Sequence, residues 1–318
     1  MSYADKVFKE MCKDILENGT STEGEKIRPI WTDTGEKAYT IKKFGVCNRY
    51  DLRKEFPALT LRKTGIKSAF DELLWIWQKK SNNIKDLSTH IWDEWADENG
   101  SIGLAYGYQM RKKYIHHRIK GLTVPDEEIE NMKKCKSCNY NLEYKHENGG
   151  YINVWLDQTD GVIWDLKNNP FSRRIMTNIY NFNDLHDMHL YPCAYSMTFN
   201  VTKDRDSDRL VLNGLLNQRS QDILAASNWN DCQYALLIMA LAQVCDMIPG
   251  EYIHMISDCH IYNRHIPIIK ELIKREEYPA PKVSLNPEIK DFYQFTKDDV
   301  VIEDYEAGPQ IKNIPIAV

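Results

Sequence analysis

A single-domain α+β fold is predicted by three features of this 318-residue chain. Tyr195, Met197, Phe199 and Val201 alternate with Ser196, Thr198 and Asn200, the period of a half-buried strand. The run from Tyr234 to Val244 (YALLIMALAQV) is apolar on most sides, as a helix covered all round would be. Strand-like and helical segments follow one another with no βαβ rhythm, no internal repeat and no Pro/Gly/Ser-rich linker.

Taken in order, Val7, Met11 and Ile15 form one helical stripe with Phe8 and Cys12 beside it, and Gly19 stops it, which predicts a helix over roughly Tyr3 to Asn18. Gly19 to Lys37 reads as loop and turn. Ala38 to Tyr50 carries β-branched residues that suit a strand. Ser68 to Lys79 (SAFDELLWIWQK) reads as a helix capped by Ser68, with Asp71 and Glu72 in its first turn. Lys112 to Tyr151 is charged and irregular, a surface insertion at about 112–151 within one domain of 1–318. Leu210 to Leu216 and Ile253 to Ile256 read as two further strands, against which the helix from Tyr234 packs.

With 42% hydrophobic and 27% charged residues the chain is an ordinary globular one, which excludes collagen-like, low-complexity and disordered classes. A chain of this size buries about 75% of its unfolded surface, so its eight cysteines are not needed as a disulfide framework; reduced thiols in the cytoplasm are the expectation. A net charge of -5 argues against a DNA-coating protein. The start, MSYADKVFKE, lacks a signal-peptide core, and the longest apolar run is too short to span a bilayer, so a soluble chain without a membrane partner is expected.

Several residues offer chemistry, each with a plainer reading beside it. Cys193, after Pro192 and just before the alternating strand, is either a small buried hydrophobe or a nucleophile whose thiol is acidified by positive surroundings. Arg173 and Arg174, after Ser172, and Arg219, before Ser220, match phosphate geometry, or else form surface ion pairs. Glu72, beside Leu73, Leu74 and Trp75, is a desolvated carboxyl suited to proton transfer, or a first-turn Glu facing water. Cys135 and Cys138 form a lone CxxC with only His146 nearby, short of the four ligands of structural zinc. Arg111 to Lys120 (RKKYIHHRIK) reads as a solvated basic helix face rather than an RNA contact.

Longer strings are more specific. Tyr191-Pro192-Cys193 before a strand, Asn217-Gln218-Arg219-Ser220-Gln221-Asp222, then Asn230 and Tyr234-Ala235-Leu236-Leu237 together resemble folate-dependent thymidylate synthases. So do Glu72-Leu73-Leu74-Trp75, Ile91 to Asp97 (IWDEWAD), Asn169-Pro170-Phe171-Ser172-Arg173-Arg174, Asp258-Cys259-His260-Ile261-Tyr262, and the tail Ile311 to Val318. The blocks occur in family order along nearly the whole chain.

The resemblance implies a mixed β-sheet with packed helices, a sheet-mediated homodimer, and reductive methylation of dUMP to dTMP by 5,10-methylenetetrahydrofolate. It implies that Cys193 adds to C6 of the pyrimidine and that Glu72 organises water and relays protons. Arg28, Gln218, Arg219 and Ser220 would hold the nucleotide, with Arg173 and Arg174 supplied by the partner subunit. His260 and Tyr262 would contact the deoxyribose hydroxyl. Trp92, Trp95, Tyr106, Asp222, Ala226 and Trp229 would line the folate and nucleotide pocket, and Val318 would close over the folate; no metal is implied.

Asn230 lies eight residues after Asp222 and four before Tyr234, the family spacing, so it rather than Asp231 takes the pocket. A carboxamide offers uracil both a donor and an acceptor, whereas relatives acting on cytosine carry Asp there. Two departures stand out: Ala194 follows the nucleophile where many members have His, and Ala226 replaces a Gly. They leave two alternatives open, a pyrimidine nucleotide hydroxymethylase in which water quenches the one-carbon unit, and a catalytically weak nucleotide- or RNA-binding member.

Overall fold

The computed structural model describes residues 1–120, 143–147 and 151–318. In chain order its helices and strands are α1 (Tyr3–Asn18), β1 (Thr20–Ser21), β2 (Thr40–Asp51), α2 (Ile66–Trp77), α3 (Gly107–Met110), β3 (Tyr114–Lys120), β4 (Glu143–Glu147), β5 (Tyr151–Leu156), α4 (Gln158–Asn168), β6 (Met176–Asn178), β7 (Ala194–Lys203), β8 (Leu210–Asp222), α5 (Ser227–Val244), β9 (Ile248–Tyr262), α6 (Ile266–Leu272), β10 (Lys282–Leu285) and β11 (Val300–Glu303). The α+β class expected from the sequence is observed, with a mixed sheet.

Helix α1 starts where expected because the Ser2 hydroxyl accepts the Ala4 N–H, and it buries Phe8, Met11, Cys12 and Ile15. It ends at Gly19, where the backbone turns extended, and only glycine fits there: a Cβ would lie 2.3 Å from the Ile15 carbonyl and 2.6 Å from the Ile41 side chain. Helix α2 starts three residues earlier than a Ser68 cap would place it, after Gly65 and with no side-chain cap. That places Asp71 and Glu72 in the second turn, and both are buried.

The main sheet runs β1-β2-β9-β8-β7-β6. All neighbours are antiparallel except β8 and β9, whose parallel pairing needs a crossover, and α5 supplies it. Because α5 packs on both that sheet and α2, it is covered on nearly every side, which explains its lack of an amphipathic period. Strands β8 and β9 extend well beyond 210–216 and 253–256. The added residues of β8, Asn217 to Asp222, are all polar, and they are strand because they pair with β9, Ser220 with Asp258 and Asp222 with His260.

Residues at the ends of 112–151 are regular rather than irregular. β3, β5 and β4 form an antiparallel three-stranded sheet. The basic run read as a helix face is therefore largely β3, and its His116 ring lies 3.1 Å from the Asp165 carboxylate. Cys135 and Cys138 lie outside the described residues. Among the described residues no helix is long and apolar enough to cross a membrane, and no cluster of three His, Cys, Asp or Glu side chains could hold a metal.

Candidate active site

Register brings the chemistry together. Cys193 immediately precedes β7, and Ala194 pairs with Gln218 of β8, so Arg219 sits opposite the cysteine with its N–H 2.7 Å from the Cys193 carbonyl. The Arg219 guanidinium then reaches back. It donates to the carbonyls of Tyr191 at 3.2 Å and Pro192 at 3.4 Å and lies 3.7 Å from the Cys193 sulfur. Burial pushes the half-exposed thiol up from its ordinary pKa, while Arg219, then a hydrogen bond with Tyr106, then the charge of Arg28 pull it back.

Tyr106 closes the other side of the cysteine. Its hydroxyl accepts the Cys193 N–H at 3.1 Å, and its ring meets that of Trp92 edge-on at 4.8 Å between centroids. Its backbone stands at φ 45°, a region that favours glycine, so packing and this bond hold a side chain where the backbone alone would not place one. Trp92 in turn packs on Trp95 at 5.6 Å.

Glu72 sits within this aromatic wall. One carboxyl oxygen accepts the Trp92 indole N–H at 2.7 Å; the other accepts the Trp229 indole at 2.5 Å and the Gln233 amide at 3.0 Å. Burial raises its pKa, and those three donors oppose the rise without cancelling it. The apolar-environment reading of Glu72 therefore holds against the water-facing one. The Trp229 ring lies over the start of α2, where a Cβ on Gly65 would stand 3.4 Å from it, an ordinary packing distance.

Asn230, on the first turn of α5, accepts from the Gln218 amide through Oδ1 and donates to the Gln233 Oε1 through Nδ2, both at 3.2 Å. Asp231 points elsewhere, as the spacing argument required. It is buried, with one oxygen 2.9 Å from His254 Nδ1 and the other accepting from the Tyr50 hydroxyl at 3.4 Å.

The C-terminal ends of β8 and β9 hold the rest. Asp222 caps the turn after β8, accepting the N–H groups of Leu224 at 2.9 Å and Ala225 at 3.2 Å, and lies 3.3 Å from His265 Nδ1. Burial works against its charge, but His265, then His260, outweigh it and hold the carboxyl below its ordinary range. His260 pairs with Asp258 at 2.8 Å and stands edge-on to Tyr262, whose hydroxyl burial pushes up to about 12.

Ser220 lies between these groups on β8, half-buried. Ala226, before α5, has φ -115° and ψ -18°, so this backbone does not require the glycine found in relatives. The tail is docked, not free. Val318 exchanges two backbone hydrogen bonds with Ile30, and His265 Nε2 lies 2.9 Å from the Pro315 carbonyl. Those contacts set Val318 two residues along from Arg28, which is exposed. Arg173 and Arg174 are also exposed, on the loop between α4 and β6, and among the described residues no ion pair joins them to the Cys193 cluster.

Three polar residues of this network escaped the sequence reading: Gln233, His254 and His265. Gln233 was legible in hindsight, being polar at the edge of the apolar run from Tyr234 and three residues from Asn230, hence on the same face. His254 alternates with Tyr252 and Ile256, which places it on the buried face of β9.

The family model for thymidylate synthase matches residues 6–318. A thymidylate synthase of Bacillus subtilis subsp. natto is 37% identical over 314 residues, covering 98% of each chain. One of Bacillus phage phi3T matches to the same identity and coverage. The solved structure of the thermostable thymidylate synthase A from Bacillus subtilis superposes with a TM-score of 0.80 at 36% identity, covering 100% of both chains. A family match this complete, over a fold that brings Cys193, Arg219, Glu72 and Asn230 to one end of a mixed sheet, means that the chain belongs to the thymidylate synthase family.

Proposed function

We propose that this methyltransferase converts dUMP to dTMP in the cytoplasm, with 5,10-methylenetetrahydrofolate as one-carbon and hydride donor and dihydrofolate as the second product. The observation that carries the reading is the placement of Cys193. Its sulfur lies against a guanidinium on one side, and the aromatic wall on the other side also holds the buried Glu72 carboxylate.

Uracil C6 is electrophilic because the ring carbonyl at C4 draws charge through the C5–C6 bond. As the Cys193 sulfur bonds to C6, the displaced electron pair makes C5 nucleophilic and charge builds on O4. Arg219 favours the thiolate beforehand by its charge. Asn230 presents an N–H to O4 and an oxygen to N3–H. Glu72, held by three N–H donors, receives and returns protons as C5 gains the one-carbon unit and loses its hydrogen. Re-forming the C5–C6 double bond expels the Cys193 thiolate.

The donor set also fits the folate. Trp92, Trp95, Tyr106 and Trp229 offer flat apolar surface to a planar ring system, Asp222 offers a carboxylate to ring N–H groups, Ala226 borders the same turn, and Val318 would cover the far side. The folate supplies the one-carbon unit and the reducing hydride when bound; the chain's residues orient it, exclude water and move protons.

The chain acts as a homodimer in this reading. On the outward face of the sheet, Leu215 pairs with Ile253, and Met255 neighbours Cys47, giving an apolar stripe that a second copy would cover. Phe44 on β2 is 90% exposed. The exposed Arg173 and Arg174 would then reach the partner's phosphate, joining Arg28, Arg219 and Ser220, with His260 and Tyr262 on the deoxyribose. Incubation with dUMP and the methylene folate tests the activity. Dihydrofolate, followed by its near-ultraviolet absorbance, is expected; tetrahydrofolate with a hydroxymethylated nucleotide would instead favour a hydroxymethylase, and bound but unconverted dUMP a binding protein.

A further inference from the structure

Behind Asn230 lies a polar chain whose innermost pair, His254 and Asp231, takes no part in the catalytic steps above. It runs from Glu72 through Gln233, Asn230, Gln218 and His254 to Asp231. His254 is 0% and Asp231 3% exposed. Burying two ionisable groups is costly unless their bonds are directed, so the direction of each bond in this chain carries information.

We propose that the buried His254–Asp231 pair is a positioning element that locks the Asn230 carboxamide in the orientation that reads uracil. This rests on the nucleotide-binding role of Asn230 proposed above. Gln218 supplies the logic. Its Nε2 lies 3.1 Å from the Ser220 carbonyl, which can only accept, so the nitrogen of the amide must be on that side. Its Oε1 therefore faces His254 Nε2 at 2.8 Å, and His254 must carry a proton there. Asp231, 2.9 Å from Nδ1, shares a single proton with the ring, and either location of that proton leaves Nε2–H in place.

From Gln218 the direction passes on. Its Nε2 donates to Asn230 Oδ1, while Glu72 at the far end turns the Gln233 Nε2 toward itself and leaves the Gln233 Oε1 to accept from Asn230 Nδ2. Flipping Asn230 would set nitrogen against nitrogen on one side and oxygen against oxygen on the other. Cytosine, which reverses donor and acceptor at positions 3 and 4, needs that flip. A proton on His254 Nδ1 alone would reverse Gln218 and undo the lock.

The test compares equilibrium binding of dUMP and dCMP to the full chain and to His254→Phe and His254→Gln. The parent is expected to prefer dUMP. His254→Phe is expected to cut that preference by about tenfold or more, whereas His254→Gln, which keeps an N–H donor near the Gln218 oxygen, stays within about threefold of the parent. A folded His254→Phe with the parent's preference overturns the proposal. Should that variant not fold, nitrogen-15 NMR of histidine-labelled parent chain decides: a proton on His254 Nε2 supports the lock, and a bare Nε2 overturns it. A parent that shows no preference for dUMP contradicts the Asn230 assignment instead, so the two failures are distinguishable.

Discussion

The Arg219 guanidinium lies 3.7 Å from the Cys193 sulfur while its other contacts are the carbonyls of Tyr191 and Pro192. Those carbonyls only accept, so they hold the cation without neutralising it, and its field falls on a thiol that burial would otherwise keep protonated.

Removing that field has a defined sign. In Arg219→Gln the thiol becomes less acidic, so the alkaline-rising limb of kcat/KM moves to higher pH. Iodoacetamide labelling of Cys193 at neutral pH slows with it. At neutral pH kcat/KM is expected to fall by about 10²-fold or more. An unmoved limb with a lowered plateau would mean that Arg219 serves the phosphate alone.

Glu72→Gln replaces an acceptor of three N–H donors by a group with one acceptor and one donor of its own, so at least one indole N–H is left opposite an N–H. Stability is expected to drop by about 1–3 kcal/mol. With the proton acceptor gone, kcat is expected to fall by about 10²–10⁴-fold with little change in KM. Thermal melting and steady-state kinetics separate the two effects.

Away from the site, Lys80 bridges Asp157 at 2.5 Å and the Tyr293 hydroxyl at 2.6 Å, and Tyr293 donates to the buried Asp160. Burial, then the neighbouring Asp157 charge, push the Asp160 carboxyl up to about 6, against the pull of Lys80 and Tyr293. A raised folded pKa means a penalty that is absent below the ordinary value of 3.8 and grows as pH rises through about 6. Asp160→Asn, which can still accept from Tyr293, is therefore expected to match the parent at about pH 4 and to exceed its stability by on the order of 1–3 kcal/mol at about pH 7. Denaturant melts across that range check it.

The dimer reading has a complementation test. A Cys193→Ser chain keeps its arginines, and an Arg173→Ala/Arg174→Ala chain keeps its nucleophile. Each is expected to be nearly inactive alone. Mixed and allowed to exchange subunits, they place intact arginines beside an intact cysteine in one site of each heterodimer, and activity should return. No recovery, with dimers present by light scattering, would show that the arginines act within their own chain or not at all.

How much of this the chain discloses depends on how local each feature is. Helix α1 was legible because its apolar stripe lies within its own residues and its terminating glycine directly follows them. The start of α2 was misread because Ser68 has the right residue type for a cap, yet the backbone enters the helix at Gly65, where Trp229 from a distant element packs. Polar stretches such as Asn217 to Asp222 and the basic run from Arg111 carry no apolar alternation; only partners far along the chain make them strands. The site divides the same way. Cys193, Arg219 and Glu72 were readable from family motifs, but their meeting depends on register, and the roles of Gln233, His254 and His265 depend on which donor faces which acceptor.

The central claim is that the Cys193 sulfur forms a bond to the pyrimidine ring. A nucleotide bearing fluorine at C5 tests it directly, since fluorine does not leave as a cation and the adduct cannot proceed. After incubation of the chain with 5-fluoro-dUMP and 5,10-methylenetetrahydrofolate, mass spectrometry should find the added mass on the peptide containing Cys193, with none in Cys193→Ser. An adduct on another residue, or dTMP formation by Cys193→Ser at the parent rate, would contradict it.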